Sequence, residues 1–252
     1  MNPRPKRRIL KRTPPMPDLQ KLIARLQKHY GAPELPPARG VFELVLWENA
    51  CYLLPDQRRA AVFEALSAQV GLTADAILQA PREVLLPLAA MGGMRPETRV
   101  FRWQEIARIT ATQFEGNLEQ ILEWPYARAM KALKLFPCIG DPGAEKILLF
   151  CGVAAGLPLE SNGLRVLTRI GYGRAYLKNY GAMYRGVQEA IAPELPKGAQ
   201  RLARAHLLLR AHGKAICRDS QPQCYECPVE DACAFRNPGA SKEPLPDGRG
   251  SD

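Results

Sequence analysis

The stretch Cys217-Arg218-Asp219-Ser220-Gln221-Pro222-Gln223-Cys224-Tyr225-Glu226-Cys227-Pro228-Val229-Glu230-Asp231-Ala232-Cys233 decides how this chain is read. Its cysteines are spaced C-x6-C-x2-C-x5-C, so four thiols fall within one short loop. Four thiolates so close in sequence can wrap a compact metal centre, and the loop has little other means of holding a fixed shape. The spacing favours a [4Fe-4S] cluster. Zinc is the alternative, but its usual sites draw on two C-x2-C knuckles well separated in sequence, and here only Cys224 and Cys227 form such a pair. Disulfides fit least, because the chain opens Met-Asn-Pro-Arg without an apolar leader and its seven cysteines are odd in number. A reduced, cytoplasmic setting is expected.

Outward from this loop the composition sets bounds. The 252 residues suffice for one large or two modest domains with a substantial core. No apolar run reaches the length of a bilayer span, so no membrane partner is expected. The net charge of +10 favours a polyanionic partner. Much of that charge lies in the first fifteen residues, where Arg4, Lys6, Arg7, Arg8, Lys11 and Arg12 stand among prolines with no acid. Residues 1–16 therefore read as a disordered basic tail, and residues 237–252, polar and slightly acidic, as a second disordered tail. Between the tails, apolar residues recur at helical spacing over Leu19–Tyr30, Arg58–Val70, Glu105–Phe114, Ala127–Leu135, Ala144–Ala155, Asn162–Ile170 and Gln200–His212. No alternating strand pattern persists, and the fold class is all-α. Val41–Leu54 is apolar almost all round, which marks a helix enclosed by others. Glu48 and Asn49 interrupt it, and a carboxylate there must be paired, protonated or facing a cleft.

Phe136-Pro137-Cys138-Ile139-Gly140-Asp141-Pro142-Gly143-Ala144 separates two helical patterns. Gly140 and Gly143 permit tight backbone and close approach of a ligand, while Pro142 suits the first turn of a helix. Such a turn aims free backbone N–H groups outward, a site for one phosphate. A plain interhelical turn would read the same way.

These stretches together resemble the endonuclease III and adenine-glycosylase group of DNA repair enzymes. That group's helix-hairpin-helix element reads L-P-G-[VI]-G, and its cluster loop has the same cysteine spacing, preceded by a His-Gly-basic stretch like His212-Gly213-Lys214. Leu159-Glu160-Ser161-Asn162-Gly163-Leu164-Arg165-Val166-Leu167-Thr168-Arg169 is similar to the adenine-glycosylase stretch L-D-G-N-x-x-R-V-L-x-R. The resemblance runs over roughly residues 20–236. It implies a two-lobed helical fold: a bundle over 39–155 ending in the hairpin, and a cluster-bearing domain built from 17–38 plus 156–236. It implies double-stranded DNA as partner, bound by a monomer that is nucleoid-associated if bacterial, with the target nucleotide flipped out and its N-glycosidic bond broken. Ile139, Gly140 and Gly143 would hold a phosphate, with a monovalent cation on the hairpin carbonyls. Lys146 and Tyr52 would contact DNA, and Lys214, Arg218 and Arg236 would face its backbone from the cluster side.

The chemistry departs from the family pattern. Bifunctional members carry a lysine nucleophile where this chain has Pro142, so base removal by a monofunctional glycosylase is expected, with a non-catalytic damage sensor or a lyase using another amine, Lys146 for example, as alternatives. The catalytic aspartate falls on Glu160, one methylene longer. Trp47-Glu48-Asn49-Ala50-Cys51-Tyr52-Leu53 aligns with S-E-V-M-L-Q-Q of the adenine glycosylases, which places Glu48 on their general acid. Held in an apolar helix, Glu48 would keep its proton and give it to the base while Glu160 stays ionised beside the sugar. Met91-Gly92-Gly93-Met94-Arg95 lies where the family has a wedge turn, so Met94 or Arg95 is the candidate to enter the base stack. Cys51, Cys138 and Cys151 show no ligand spacing and read as core thiols.

Overall fold

The computed structural model describes residues 18–51, 54–173 and 179–237. The first tail, the second from residue 238 onward, and Tyr52 among the expected DNA contacts lie outside the described residues. Eleven α-helices and four short 3-10 turns account for the described structure, with no strand among the described residues. No helix among them is long and apolar enough to cross a membrane. The chain divides into two compact units. One takes Ala32–Glu160 and Pro196–Leu207; the other takes the chain up to Gly31, Ser161–Leu195 and the chain from Leu208 onward.

The first unit is organised around α2 (Gly40–Asn49), whose Val41, Leu44, Val45 and Leu46 are buried on all sides. It packs against α3 (Asp56–Gln69), α6 (Pro96–Gln113) and α8 (Asp141–Phe150). The start of α2 carries no capping side chain of its own; Glu119 Oε1 accepts from the amides of Val41 at 2.6 Å and Phe42 at 3.3 Å. A negative group at a helix N-terminus satisfies orphan donors and complements the dipole. Gly40 makes this possible: its φ is +71°, and a Cβ there would lie 2.7 Å from Glu119 Oε1. The apolar run predicts a helix through Leu54, but α2 stops at Asn49, whose Nδ2 donates back to Val45 O at 3.1 Å and forward to Pro137 O at 3.0 Å.

Two short helices, α4 (Ala74–Gln79) and α5 (Arg82–Met91), lean on α6, which contributes the fully buried Trp103 and Ile106. The turn between α5 and α6 is gripped from inside. Arg99, 5% exposed, donates to Ala89 O at 2.6 Å, Gly93 O at 3.2 Å and Met94 O at 3.3 Å. Burial lowers its pKa, and the three carbonyls supply the partners that a buried cation requires. A 3-10 turn over Leu118–Glu123 and α7 (Tyr126–Leu133) then lead into the hairpin. The periodicity predicts a helix to Ala155 after the hairpin; α8 ends at Phe150 instead. Gly152, at φ +87°, reverses the chain there, with Gly152 N bonded to Leu149 O and Val153 N to Leu148 O.

The second unit contains α1 (Leu19–Tyr30), α9 (Ser161–Ile170), α10 (Tyr180–Ile191), the later turns of α11 (Ala199–Ala215) and the cysteine loop. Asp18 caps α1 by accepting from Gln20 N and Lys21 N, and Leu19, Leu22 and Leu26 form its buried stripe. α9 meets α11 at very short range. Arg165 donates to Gly213 O at 2.8 Å and Cys217 O at 2.9 Å, satisfying carbonyls at the end of α11. Gly213 is required by that approach, since a Cβ would stand 2.6 Å from Asn162 Cβ and 2.8 Å from Asn162 O. Gly213→Ala is expected to cost about 2–3 kcal/mol by overpacking, read as a lowered urea midpoint with unchanged slope.

Candidate active site and nucleic-acid interface

The first unit carries a cavity of about 770 Å³ whose wall includes Glu48, Arg59, Arg95, Arg99, Arg102 and Cys138. Glu48 projects from the last turn of α2 and is only 17% exposed. Its Oε2 accepts from Lys146 Nζ at 2.7 Å, and its Oε1 lies 3.7 Å from Arg59 Nη1. Arg59 is itself steadied by the Trp47 ring, 5.5 Å from its guanidinium carbon. Two cations so close stabilise the charged carboxylate. The apolar sequence of α2 led us to expect hydrocarbon around Glu48; two cations lie against it instead.

Lys146, expected on the DNA, is drawn inward as the partner of Glu48 and is 15% exposed. The Met91–Arg95 turn borders the same cavity. Met94 is 80% exposed at its tip, and Arg95 sits in the left-handed region at φ +59°. Glu160, half-buried just before α9, is not among the residues lining this cavity.

The hairpin shows a different division of labour from the one its glycines suggest. Cys138, not a glycine, takes the left-handed conformation, at φ +62°. Gly140 has φ −98°, and a Cβ built there meets nothing nearer than Pro142 Cδ at 4.0 Å; one built on Gly143 meets Ile139 Cγ2 at 3.6 Å. The backbone therefore does not need glycine at 140 or 143. What the glycines provide is open surface over the start of α8, where the first amides have no intrahelical acceptor. Pro142 lies in the first turn, as expected, and Asp141 pairs with Lys134 at 2.8 Å. Ile139 is buried and anchors the turn.

In the other unit, Cys217, Cys224, Cys227 and Cys233 all line one small cavity, together with His212 and Arg169. None is in a disulfide. Among the described residues, no group of three or more His, Cys, Asp or Glu side chains is gathered closely enough to hold a single metal ion. The donor set nevertheless fits a larger, positively charged centre. Burial pushes the Cys227 thiol up to about 11 and raises Cys233, with the neighbouring sulfurs adding to both. A cation among the four sulfurs would favour the thiolate form at Cys227 and Cys233. Polar groups already face the sulfurs: Arg169 Nη1 is 3.5 Å from Cys217 Sγ, and His212 Nε2 is 3.5 Å from Cys227 Sγ. Tyr30 shares a 2.9 Å hydrogen bond with His212 Nδ1. Lys214, Arg218 and Arg236 are exposed around this loop; Arg218 also donates to Ala215 O and Arg236 to Glu230.

Of the arginines in the Glu48 cavity, only Arg95 is legible as a site residue in the sequence. The signal for the others was an Arg95, Arg99, Arg102 stripe at helical spacing on one face of α6. Arg59 left no such signal, because its role depends on where α3 packs. Of the remaining cysteines, Cys51 is buried, and Cys151 has its thiol pushed up to about 12 by burial, as befits core residues. Cys138 is exposed, contrary to expectation.

No protein-family model matches the chain. It is similar to endonuclease III of Sulfolobus acidocaldarius, 23% identical over 198 residues that span 78% of this chain and 83% of that protein. Among solved structures it resembles endonuclease III in a non-covalent complex with DNA, at a TM-score of 0.65 and 17% identity over 87% of this chain and 95% of that one. A thermostable thymine-DNA glycosylase superposes at a TM-score of 0.69 and 16% identity, over 88% and 97% of the respective chains. The fold is that of the helix-hairpin-helix DNA glycosylases. Within that class its sequence is similar to that of endonuclease III over most of its length.

The strained hairpin position yields a direct test. Cys138→Gly, which restores the family residue, is expected to raise stability by up to about 1 kcal/mol through relief of the left-handed backbone, read as a higher thermal midpoint.

Proposed function

We propose that this protein is a base-excision DNA glycosylase that binds double-stranded DNA as a monomer, flips out a damaged or mismatched base and hydrolyses its N-glycosidic bond. The observation that carries the reading is an arginine-lined cavity with one half-buried carboxylate, Glu48, in the unit that also bears the hairpin. A flipped nucleotide needs such a pocket, and hydrolysis needs a fixed carboxylate beside it. The hairpin amides at the start of α8 would grip one phosphate over the open faces of Gly140 and Gly143. Phe136 O, Pro137 O and Gly140 O already accept from Ile139 N, Asn49 Nδ2 and Ala144 N, so a monovalent cation would take the carbonyls of Cys138 and Ile139.

Base removal runs without a lysine nucleophile at the family position, because Pro142 has no amine. Water is then the attacking group. Glu48 faces it from the cavity wall, and Glu160 is the second carboxylate, assigned by its place before Asn162 and Arg165 to the positive charge that develops on the sugar. Cys217, Cys224, Cys227 and Cys233 would hold a [4Fe-4S] cluster, which when bound supplies a rigid cross-link for the loop. Arg165 and Arg169 prepare that loop by pinning the carbonyls of Cys217, Arg218 and Asp219. Lys214, Arg218 and Arg236 then face the DNA backbone.

The test is incubation with duplexes bearing a panel of damaged and mismatched bases, followed by alkali or borohydride. Alkali-dependent cleavage without borohydride trapping is expected. Retained DNA binding with no base release would instead identify a damage sensor. Gly140→Ala should leave the folded stability within about 0.5 kcal/mol, since the site has room for a Cβ, yet weaken duplex binding about tenfold by obstructing the phosphate. Protein purified without oxygen should show broad visible absorption, and Cys224→Ser should abolish it and lower the thermal midpoint, whereas a zinc protein would be colourless.

A further inference from the structure

The sulfurs of the cysteine loop are faced by two kinds of polar group. The amide of Val229 points at Cys227 and those of Phe235 and Arg236 at Cys233, while Arg169 Nη1 lies 3.5 Å from Cys217 Sγ. A backbone N–H or a guanidinium can only donate. His212 differs. Its Nε2 is 3.5 Å from Cys227 Sγ, and an imidazole nitrogen donates or accepts according to where the ring carries its proton.

The opposite edge of that ring meets a residue from far along the chain. Tyr30, the last residue of α1, places its hydroxyl 2.9 Å from His212 Nδ1, and the two rings meet edge to face at 5.9 Å. The same helix reaches the loop a second time through Arg25, which donates twice to Asp231, at 2.6 and 3.1 Å. His212 is 1% exposed and Tyr30 half-buried, so water is a poor substitute for either partner. Burial also favours the neutral imidazole, with a single N–H, and keeps the Tyr30 hydroxyl protonated.

Building on the cluster reading above, we infer that Tyr30 is a positioning residue for the metal centre: it fixes His212 as a hydrogen-bond donor to Cys227 and so raises the reduction potential of the centre. A metal-bound thiolate has no proton to give, so the ring nitrogen that faces it must carry the N–H. Nδ1 is then bare, and the Tyr30 hydroxyl donates to it. An N–H on a ligating sulfur withdraws electron density and favours the reduced, more negative form of the centre. Tyr30 acts on the sulfur only through the ring of His212. The helix that opens the described chain thereby tunes a loop that closes it.

The experiment is a potentiometric titration of the full chain, purified without oxygen and free of DNA, followed by its visible absorption. Tyr30→Phe keeps the ring and removes the hydroxyl. Poised at the wild-type midpoint, this variant is expected to be about tenfold more oxidised, a shift of about 59 mV for one electron. His212→Leu should shift the same way and at least as far, and the double variant no further than His212→Leu alone, because Tyr30 works through that ring. Nitrogen NMR of histidine-labelled wild-type protein, which needs no variant to fold, should show His212 protonated at Nε2 and bare at Nδ1. A wild-type potential in Tyr30→Phe, additive shifts in the double variant, or a proton on Nδ1 would overturn the inference while leaving the cluster reading standing. Wild-type protein without the visible absorption of a cluster would overturn both.

Discussion

The 2.7 Å contact between Glu48 and Lys146 is the interaction on which the arrangement of the first unit turns. It joins the end of the enclosed helix α2 to the helix that follows the hairpin, and it does so at the cavity wall. Both side chains are mostly withdrawn from water, which costs several kcal/mol per ion before their attraction is counted. A fold that retains such a pair where an apolar contact would serve stability better has kept it for some other reason. Here the evident gain is a carboxylate with a fixed charge and direction. Asn49, the next residue, ties the same helix end to Pro137 of the hairpin, so the end of α2 and the hairpin are braced together.

The two departures from the family pattern are thereby connected. At the start of the post-hairpin helix this chain has Pro142, which fits that turn without a penalty. Its lysine stands one helical turn further along and is engaged with Glu48. In this structure that amine is the ion-pair partner of Glu48.

Much of the architecture was legible in the sequence because it rests on local signals. Helical periodicity, the punctuating glycines and prolines, and the cysteine spacing each depend on residues near one another, and the resulting all-α fold agrees with them. The Asn162–Arg165 motif was legible as a resemblance, and its physical basis emerged only when α9 was found against Gly213. The limits lay where long-range partners decide. Glu48 read as a carboxylate in hydrocarbon because Arg59 and Lys146 are distant in sequence, and the hairpin glycines read as conformational necessities although the left-handed residue is Cys138. Helix ends were misjudged for the same reason, since Asn49 terminates α2 through a bond to Pro137, 88 positions away.

The path of the chain between its two units has a consequence for how the protein is made. The bundle unit is nearly complete once residue 160 has been synthesised, lacking only Pro196–Leu207. The cysteine-bearing unit needs both ends of the polypeptide, since α1 and the loop after α11 belong to it. On a ribosome that emits residues in order, the first can collapse while the second waits with its first helix unpartnered. Completion of the cysteine loop thus falls at the end of biogenesis, after the segments of the cavity unit up to Leu207 have been made. Truncation between about residues 208 and 233 would leave every segment of the bundle unit present while removing cysteines of the loop.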